Sequence, residues 1–329
     1  MRRLALLALL GFALLLWSAP AAAEQGCAND DVACWMKLLD RNDVQAMRAA
    51  MRLGQLHNAD AAPLLIKKLA SSDPYLATAA LHALIEIGQP AVLALIDATH
   101  STNAAVRRYA VYALGKIGHG DVIDAVALLA KDKDPSVRRQ AAVALGSLKD
   151  ARGLLYLFQL MRDEYVDVRV AAAEAIGQIG DPRAADQLID YGLCDLSPDV
   201  GRASTYALVQ LGEPAAVSLI ESYDSKPDFA RKRILTALGG IGATAGGTVK
   251  ARITKLCLLV LNRKTENLEV RAVAAYELGA LEAQSAVDSL KAVLVEIKPV
   301  DTPEAKQLAA ACRAALDKIY RRYNLTRDY

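Results

Sequence analysis

The sequence predicts an all-α protein, an α-solenoid of stacked helical hairpins. Three observations predict it: an internal repeat of about 31 residues, helical spacing of apolar residues within each copy, and Gly/Pro turn signals between helices. The chain is 53% hydrophobic but only 5% aromatic, which suits an Ala/Leu-rich helical array better than a β-rich domain.

The repeat is clearest in residues 132–149, D-K-D-P-S-V-R-R-Q-A-A-V-A-L-G-S-L-K. With Val137 as position zero, Ala141 lies at plus four, Leu145 at plus eight and Leu148 at plus eleven. At about 100° per residue these positions share one side of a helix. The plus-eight row recurs as Leu53, Leu84, Leu114, Leu145, Ile176, Leu208, Leu238 and Leu278. The plus-eleven row reads Leu56, Ile87, Ile117, Leu148, Ile179, Leu211, Ile241 and Leu281. Plus four is mostly small: Ala49, Ala80, Ala110, Ala141, Ala172, Ser204, Ile234 and Ala274. Small residues there admit a neighbouring helix, and the Leu/Ile rows fill the space between.

Turn signals follow at Gly88-Gln-Pro90, Gly118-His-Gly120, Gly180-Asp-Pro182 and Gly212-Glu-Pro214. Glycine supplies a left-handed helix cap and proline opens the next helix. A second apolar helix follows, as in residues 91–98, 122–130 and 184–193. One such pair cannot bury both of its faces, so pairs stack.

Over residues 40–318 this pattern resembles HEAT repeats, in particular the short bacterial kind of the phycobilisome-lyase-like group. Asp132 with Arg138, Asp163 with Arg169, and Asp195 with Arg202 one residue out of step, carry the likeness. In HEAT families such Asp–Arg pairs tie adjacent repeats together, so the resemblance implies a structural role for these residues. Arg107, Arg231 and Arg271 hold the arginine position without an Asp at that spacing. Deoxyhypusine hydroxylases are HEAT-like enzymes that bind iron through His-Glu pairs. This sequence contains no His-Glu dipeptide, so their activity is not implied.

The chain divides into a signal peptide at 1–23, an N-terminal capping segment at 24–39, the repeat array at 40–299 and a C-terminal capping helix and tail at 300–329. Arg2 and Arg3 precede an apolar run over residues 4–17, too short for a comfortable membrane span. Ala21-Ala22-Ala23 predicts cleavage before Glu24 and a periplasmic or secreted mature chain, with no transmembrane span. The alternative is an uncleaved N-terminal anchor. The formal net charge is +2, and without residues 1–23 it becomes 37 basic against 37 acidic residues. That balance argues against general nucleic-acid binding.

Cys27 and Cys34 are predicted to form a disulfide in an oxidising compartment, with a metal site as the alternative. Cys194, Cys257 and Cys312 lie on apolar helical stretches as buried thiols, with one further bridge among them left open. The spacing stretches to 40 residues between Leu238 and Leu278, where residues 239–248 are glycine-rich. These lack the phosphate-loop pattern and read as a flexible connection. Thr302 and Pro303 mark the start of the final helix.

The histidines His57, His82, His100 and His119 form no H-E-x-x-H, and neither G-x-S-x-G nor S-x-x-K occurs. No catalytic residue, cofactor site or metal site is therefore assigned, and the chain is expected not to be an enzyme. The helix face opposite the core, at plus two, plus six and plus nine, carries the binding signal. Arg108, Arg139, Arg202 and Lys232 stand at plus two, and His82, Tyr112, Tyr206 and Tyr276 at plus six. Arg and Tyr are enriched at interface anchors. In a HEAT-like stack the second helices line the concave surface. The expectation is an exported scaffold that binds a protein or peptide along that face. The competing readings are a merely solubilising surface and, by family resemblance alone, a lyase-like or other enzyme handling a small prosthetic group.

Overall fold

The computed structural model describes residues 27–118 and 122–326. The expected signal segment and His119 lie outside them. Every regular element among the described residues is helical. The chain falls into two compact units, residues up to Ile87 and residues from Gly88 onward.

The first unit contains α1 (Val32–Leu39), α2 (Val44–Gln55), α3 (Ala62–Lys68) and α4 (Pro74–Ile87). Cys27 and Cys34 are joined by a disulfide that spans the start of α1, with Cα atoms 5.5 Å apart. Asp43 caps α2 by accepting from the backbone N–H groups of Gln45 and Ala46. Leu53, Leu84, Ala49 and Ala80 are fully buried. The buried Lys68 ammonium donates to the carbonyls of Asp40 and Arg41 and to Asn42 Oδ1, satisfying all three of its protons.

The second unit begins with α5 (Val92–Ala98), α6 (Ala104–Ile117), α7 (Ile123–Leu128), α8 (Pro135–Leu148), α9 (Leu154–Leu160) and α10 (Val166–Ile179). It continues with α11 (Ala185–Gln187), which widens into a π-helical turn at Leu188–Leu193, then α12 (Pro198–Leu211), α13 (Glu213–Ser222) and α14 (Asp228–Gly242). Last come α15 (Gly247–Asn262), α16 (Leu268–Ala280), α17 (Val287–Ile297) and α18 (Pro303–Tyr323). The plus-four and plus-eight side chains of every long helix in this unit are fully buried, from Ala110 and Leu114 to Ala274 and Leu278. Gly118 and Gly180 cap α6 and α10 in the left-handed conformation. The final helix starts where Thr302 Oγ1 accepts from Ala305 N–H.

The plus-nine position belongs to the seam between helices and not to the exposed face. It is glycine in most copies, and a methyl group there would strike the next long helix. An added Cβ would lie 2.9 Å from Ala144 Cα at Gly115, 2.8 Å from Ala175 Cα at Gly146 and 2.9 Å from Ala207 Cα at Gly177. The seam recurs in the first unit, where Gly54 faces Ala83 Cα at 2.7 Å. Long helices therefore pack backbone to backbone on the next long helix, which makes them the closely spaced inner layer of the second unit. The exposed row runs through plus two, plus six and plus ten.

The glycine-rich stretch is also more ordered than its composition suggests. Gly239, Gly240 and Gly242 lie within α14, and residues 243–246 alone join it to α15. Gly239 and Gly242 give room to the Glu277 and Leu281 side chains.

Candidate binding face

An arginine ladder holds the long helices in register, and its pairing differs from the expected one. Arg107 donates through Nε and Nη2 to the Asp132 carboxylate at 2.6 and 2.7 Å. Arg138 does the same to Asp163 at 2.6 and 2.9 Å, and Arg169 to Asp195 at 2.7 and 3.2 Å. Each arginine thus reaches the aspartate of the following repeat. Its Nη1 turns back to a carbonyl of its own repeat, as Arg138 does to Asp132 O at 2.9 Å. Asp132 and Arg138 are joined through the backbone, as are Asp163 and Arg169. Burial pushes the Asp132 and Asp163 carboxyls up. The arginine donors and the N–H groups of Asp134 and Tyr165 outweigh it and hold both below the ordinary carboxylate range.

Arg231 and Arg271 extend the ladder. Arg231 Nη2 lies 2.9 Å from the buried Glu266 carboxylate, and the buried Arg271 donates to Glu296 at 2.9 and 3.2 Å. One rung is missing, because the ladder position of α12 is Gly201. The guanidinium of Arg233 from α14 fills that space, 2.2 Å from where a Gly201 Cβ would stand. Its Nη1 donates to the carbonyls of Leu193 and Asp195 at 2.7 and 2.6 Å. Arg202 instead pairs with Asp199 at the surface, not with Asp195.

The structure places the expected binding residues on two kinds of ground. In the first unit, His82 is exposed on α4. In the second, Arg139 and Tyr206 are exposed on α8 and α12, and Tyr276 on α16 with Lys318 Nζ 4.7 Å from its ring centroid. Arg108 is half-buried with its guanidinium 5.1 Å from the Tyr109 ring. Tyr112 is half-buried with Lys116 Nζ 5.5 Å from its ring. Arg202 and Lys232 are neutralised, by Asp199 and by Glu269 at 2.6 Å. Tyr109, Lys116 and Tyr165 also bear on this face. The plus-ten spacing of Lys116 was the sequence signal for it.

Cys194 is half-buried, and Cys257 and Cys312 are buried; all three are free. Burial pushes the Cys257 and Cys312 thiols up to about 12, so neither is an activated nucleophile. Among the described residues no group of three or more His, Cys, Asp or Glu side chains is placed to hold a metal ion. No single described helix is long and apolar enough to cross a membrane.

Residues 92–169 and 154–239 match the family described as HEAT repeats. This segment of the chain is built of HEAT repeats. No curated protein sequence matches the chain. Among solved structures, importin beta aligns at a TM-score of 0.57 and 15% identity, over 90% of this chain and 46% of its own. A structure concerned with Kap95p binding to RanGDP aligns at 0.54 and 15% identity, over 89% and 48%. This chain spans about half the length of each. Human deoxyhypusine hydroxylase aligns over 82% of this chain and 99% of its own at 23% identity, with a TM-score of only 0.34. At these identities the likeness to importin beta and Kap95p is one of fold alone, a HEAT-repeat α-solenoid.

Proposed function

We propose that the chain is an exported, non-enzymatic HEAT-repeat scaffold that binds a protein or peptide along the inner face of its long helices. One observation carries this reading. The fold uses one set of arginines, the ladder, to hold itself together and leaves Arg108, Arg139 and the exposed Tyr206 outside it. Arg and Tyr on a rigid face are the residues that anchor interfaces. The basic and apolar N-terminal segment and the Cys27–Cys34 disulfide support export to an oxidising compartment.

In-cell crosslinking and affinity recovery test it, with the unmodified chain beside an Arg108→Ala/Tyr112→Ala/Arg139→Ala/Tyr206→Ala variant. The expected result is a protein recovered with the first alone, whose purified form then binds the first and not the second. Recovery of the same proteins by both baits would overturn the reading. Mass spectrometry of the exported protein is expected to show Glu24 as its first residue.

A further inference from the structure

The inner face of the second unit is not uniform in charge. Neither α6, AAVRRYAVYALGKI, nor α8, PSVRRQAAVALGSL, contains an acidic residue. Of their cations, Arg107 and Arg138 are neutralised by Asp132 and Asp163. Arg108, Lys116 and Arg139 make no ion pair among the described residues. Further along the stack the pattern changes. Arg202 and Lys232 are paired, and α10 brings Asp167 and Glu174. On the exposed rows of the long helices from α6 to α16, the uncompensated positive charge therefore lies on two neighbouring helices; Lys318, over the Tyr276 ring, is the next such cation, on α18.

Apolar surface adjoins it. Arg108 and Arg139 hold the same position on successive helices, about 8–10 Å apart at this packing distance. Beside Arg139 is a cleft of about 350 Å³, lined also by Pro135, Tyr165, Val166 and Asp167. Tyr165 and Val166 are 47% and 38% exposed there. Asp167 is the one acid in the lining, and it makes no ion pair with Arg139. Asp134 nearby is occupied in capping α8 through Ser136 N–H.

We infer that α6 and α8 form a docking site for an acidic peptide segment that also carries large apolar side chains. Arg108 and Arg139 take its carboxylates, and Tyr165 and Val166 take an apolar side chain. Guanidinium groups bind carboxylates in a two-pronged geometry, and neither of these two makes an ion pair among the described residues, although Asp167 shares the cleft of Arg139. A phosphate chain running along the stack would leave this patch onto Glu174 and Asp199, so a peptide fits better than a nucleic acid. The inference rests on the scaffold reading and narrows it to one partner chemistry.

Fluorescence anisotropy with the purified chain tests it. The labelled probe is Gly-Ser-Glu-Asp-Leu-Glu-Leu-Asp-Ser-Gly. Comparison probes replace every acid by Gln or Asn, or by Lys, and an oligouridylate of similar charge competes. The acidic probe is expected to bind, and to weaken about tenfold or more in an Arg108→Glu/Arg139→Glu variant and as salt rises from about 0.05 to 0.3 M. The lysine probe is expected to bind that variant instead. Lys255→Glu, on α15 outside the patch, should leave binding unchanged. Should the double-Glu variant fail to fold by circular dichroism, Arg108→Gln/Arg139→Gln replaces it. No binding of the acidic probe, equal binding of its amide counterpart, or stronger binding of the oligouridylate would each overturn the inference. The two readings fail separately. If the peptide does not bind while the four-residue variant still loses its recovered protein, the scaffold stands and the acidic partner falls.

Discussion

Arg233 occupies the space that a side chain at Gly201 would fill, so one repeat is completed by an arginine from the next. The sequence position that elsewhere carries a ladder arginine is empty here, and the guanidinium arrives from α14 to bind the carbonyls of Leu193 and Asp195. A missing rung would otherwise leave these acceptors, on the buried Leu193 and the half-buried Asp195, short of a donor.

Arg233→Ala should therefore cost about 1–3 kcal/mol, the penalty of unsatisfied buried acceptors. Gly201→Arg alone should also destabilise, because two guanidinium groups would claim one space. Combined with Arg233→Ala it should recover part of the loss. Urea midpoints of the four proteins check this, and simple additivity of the two losses would refute the shared space.

Asp163→Ala should be costlier, about 3–5 kcal/mol, because it leaves the Arg138 guanidinium without its carboxylate in a largely buried seam. The ladder also sets an acid limit. Asp132 and Asp163 titrate below their unfolded values. Their contribution is present above the unfolded pKa and is lost as pH falls through the folded one. Chemical denaturation followed down to strongly acidic pH should show this loss in the parent and a smaller one in Asp163→Ala.

Glu277 has the opposite sign. It stands at plus seven, where the preceding five long helices carry alanine, and its carboxyl lies over Gly239. Burial raises its pKa to about 7 from 4.5, and Lys318 offsets this only in part. No hydrogen bond or ion pair to this carboxyl exists among the described residues. A raised folded pKa means that this group lowers stability as pH climbs from 4.5 to about 7, after which the effect is constant. Glu277→Gln should match the parent near pH 4.5 and exceed it by about 1–3 kcal/mol at pH 8. A constant difference between the two across this range would show that Glu277 is not the group responsible.

Gly146→Val should cost about 1–3 kcal/mol or more by forcing α8 away from Ala175, while Gly247→Ala, with nothing within 4 Å, should change stability by less than about 0.5 kcal/mol. Leu145→Ala at the same seam should cost about 2–5 kcal/mol through the cavity it leaves. Thermal melts of the three variants separate these effects.

The period made most of the fold legible. Every residue assigned to the plus-four and plus-eight rows is fully buried, because a 3.6-residue helix leaves a buried stripe little freedom. What escaped was contact between repeats. Closeness in sequence pairs Arg138 with Asp132, whereas its carboxylate comes 25 residues later, from the next repeat. The same blindness hid the partners of Arg107, Arg231 and Arg271. Glycine at plus nine looked like part of an exposed row, since composition does not reveal a backbone pressed against another helix. At the candidate face, the positions of Arg108, Arg139 and Tyr206 were readable. Which cations stay unpaired was only partly readable: Asp199 stands at helical spacing from Arg202, whereas Glu269 reaches Lys232 from 37 residues away.

The ladder also bears on how such an array can change length. Removing residues 133–163 deletes Arg138 together with Asp163, and leaves Arg107 beside Asp132 and Arg169 beside Asp195. Repeats of this type can be lost or duplicated whole without stranding a charge. The repeats that contain Gly201 and Arg233 lack that independence. Either one copied alone carries a hole or a guanidinium with no place to go. In the currency of duplication they form a single heritable block, twice the length of the repeat that the sequence displays.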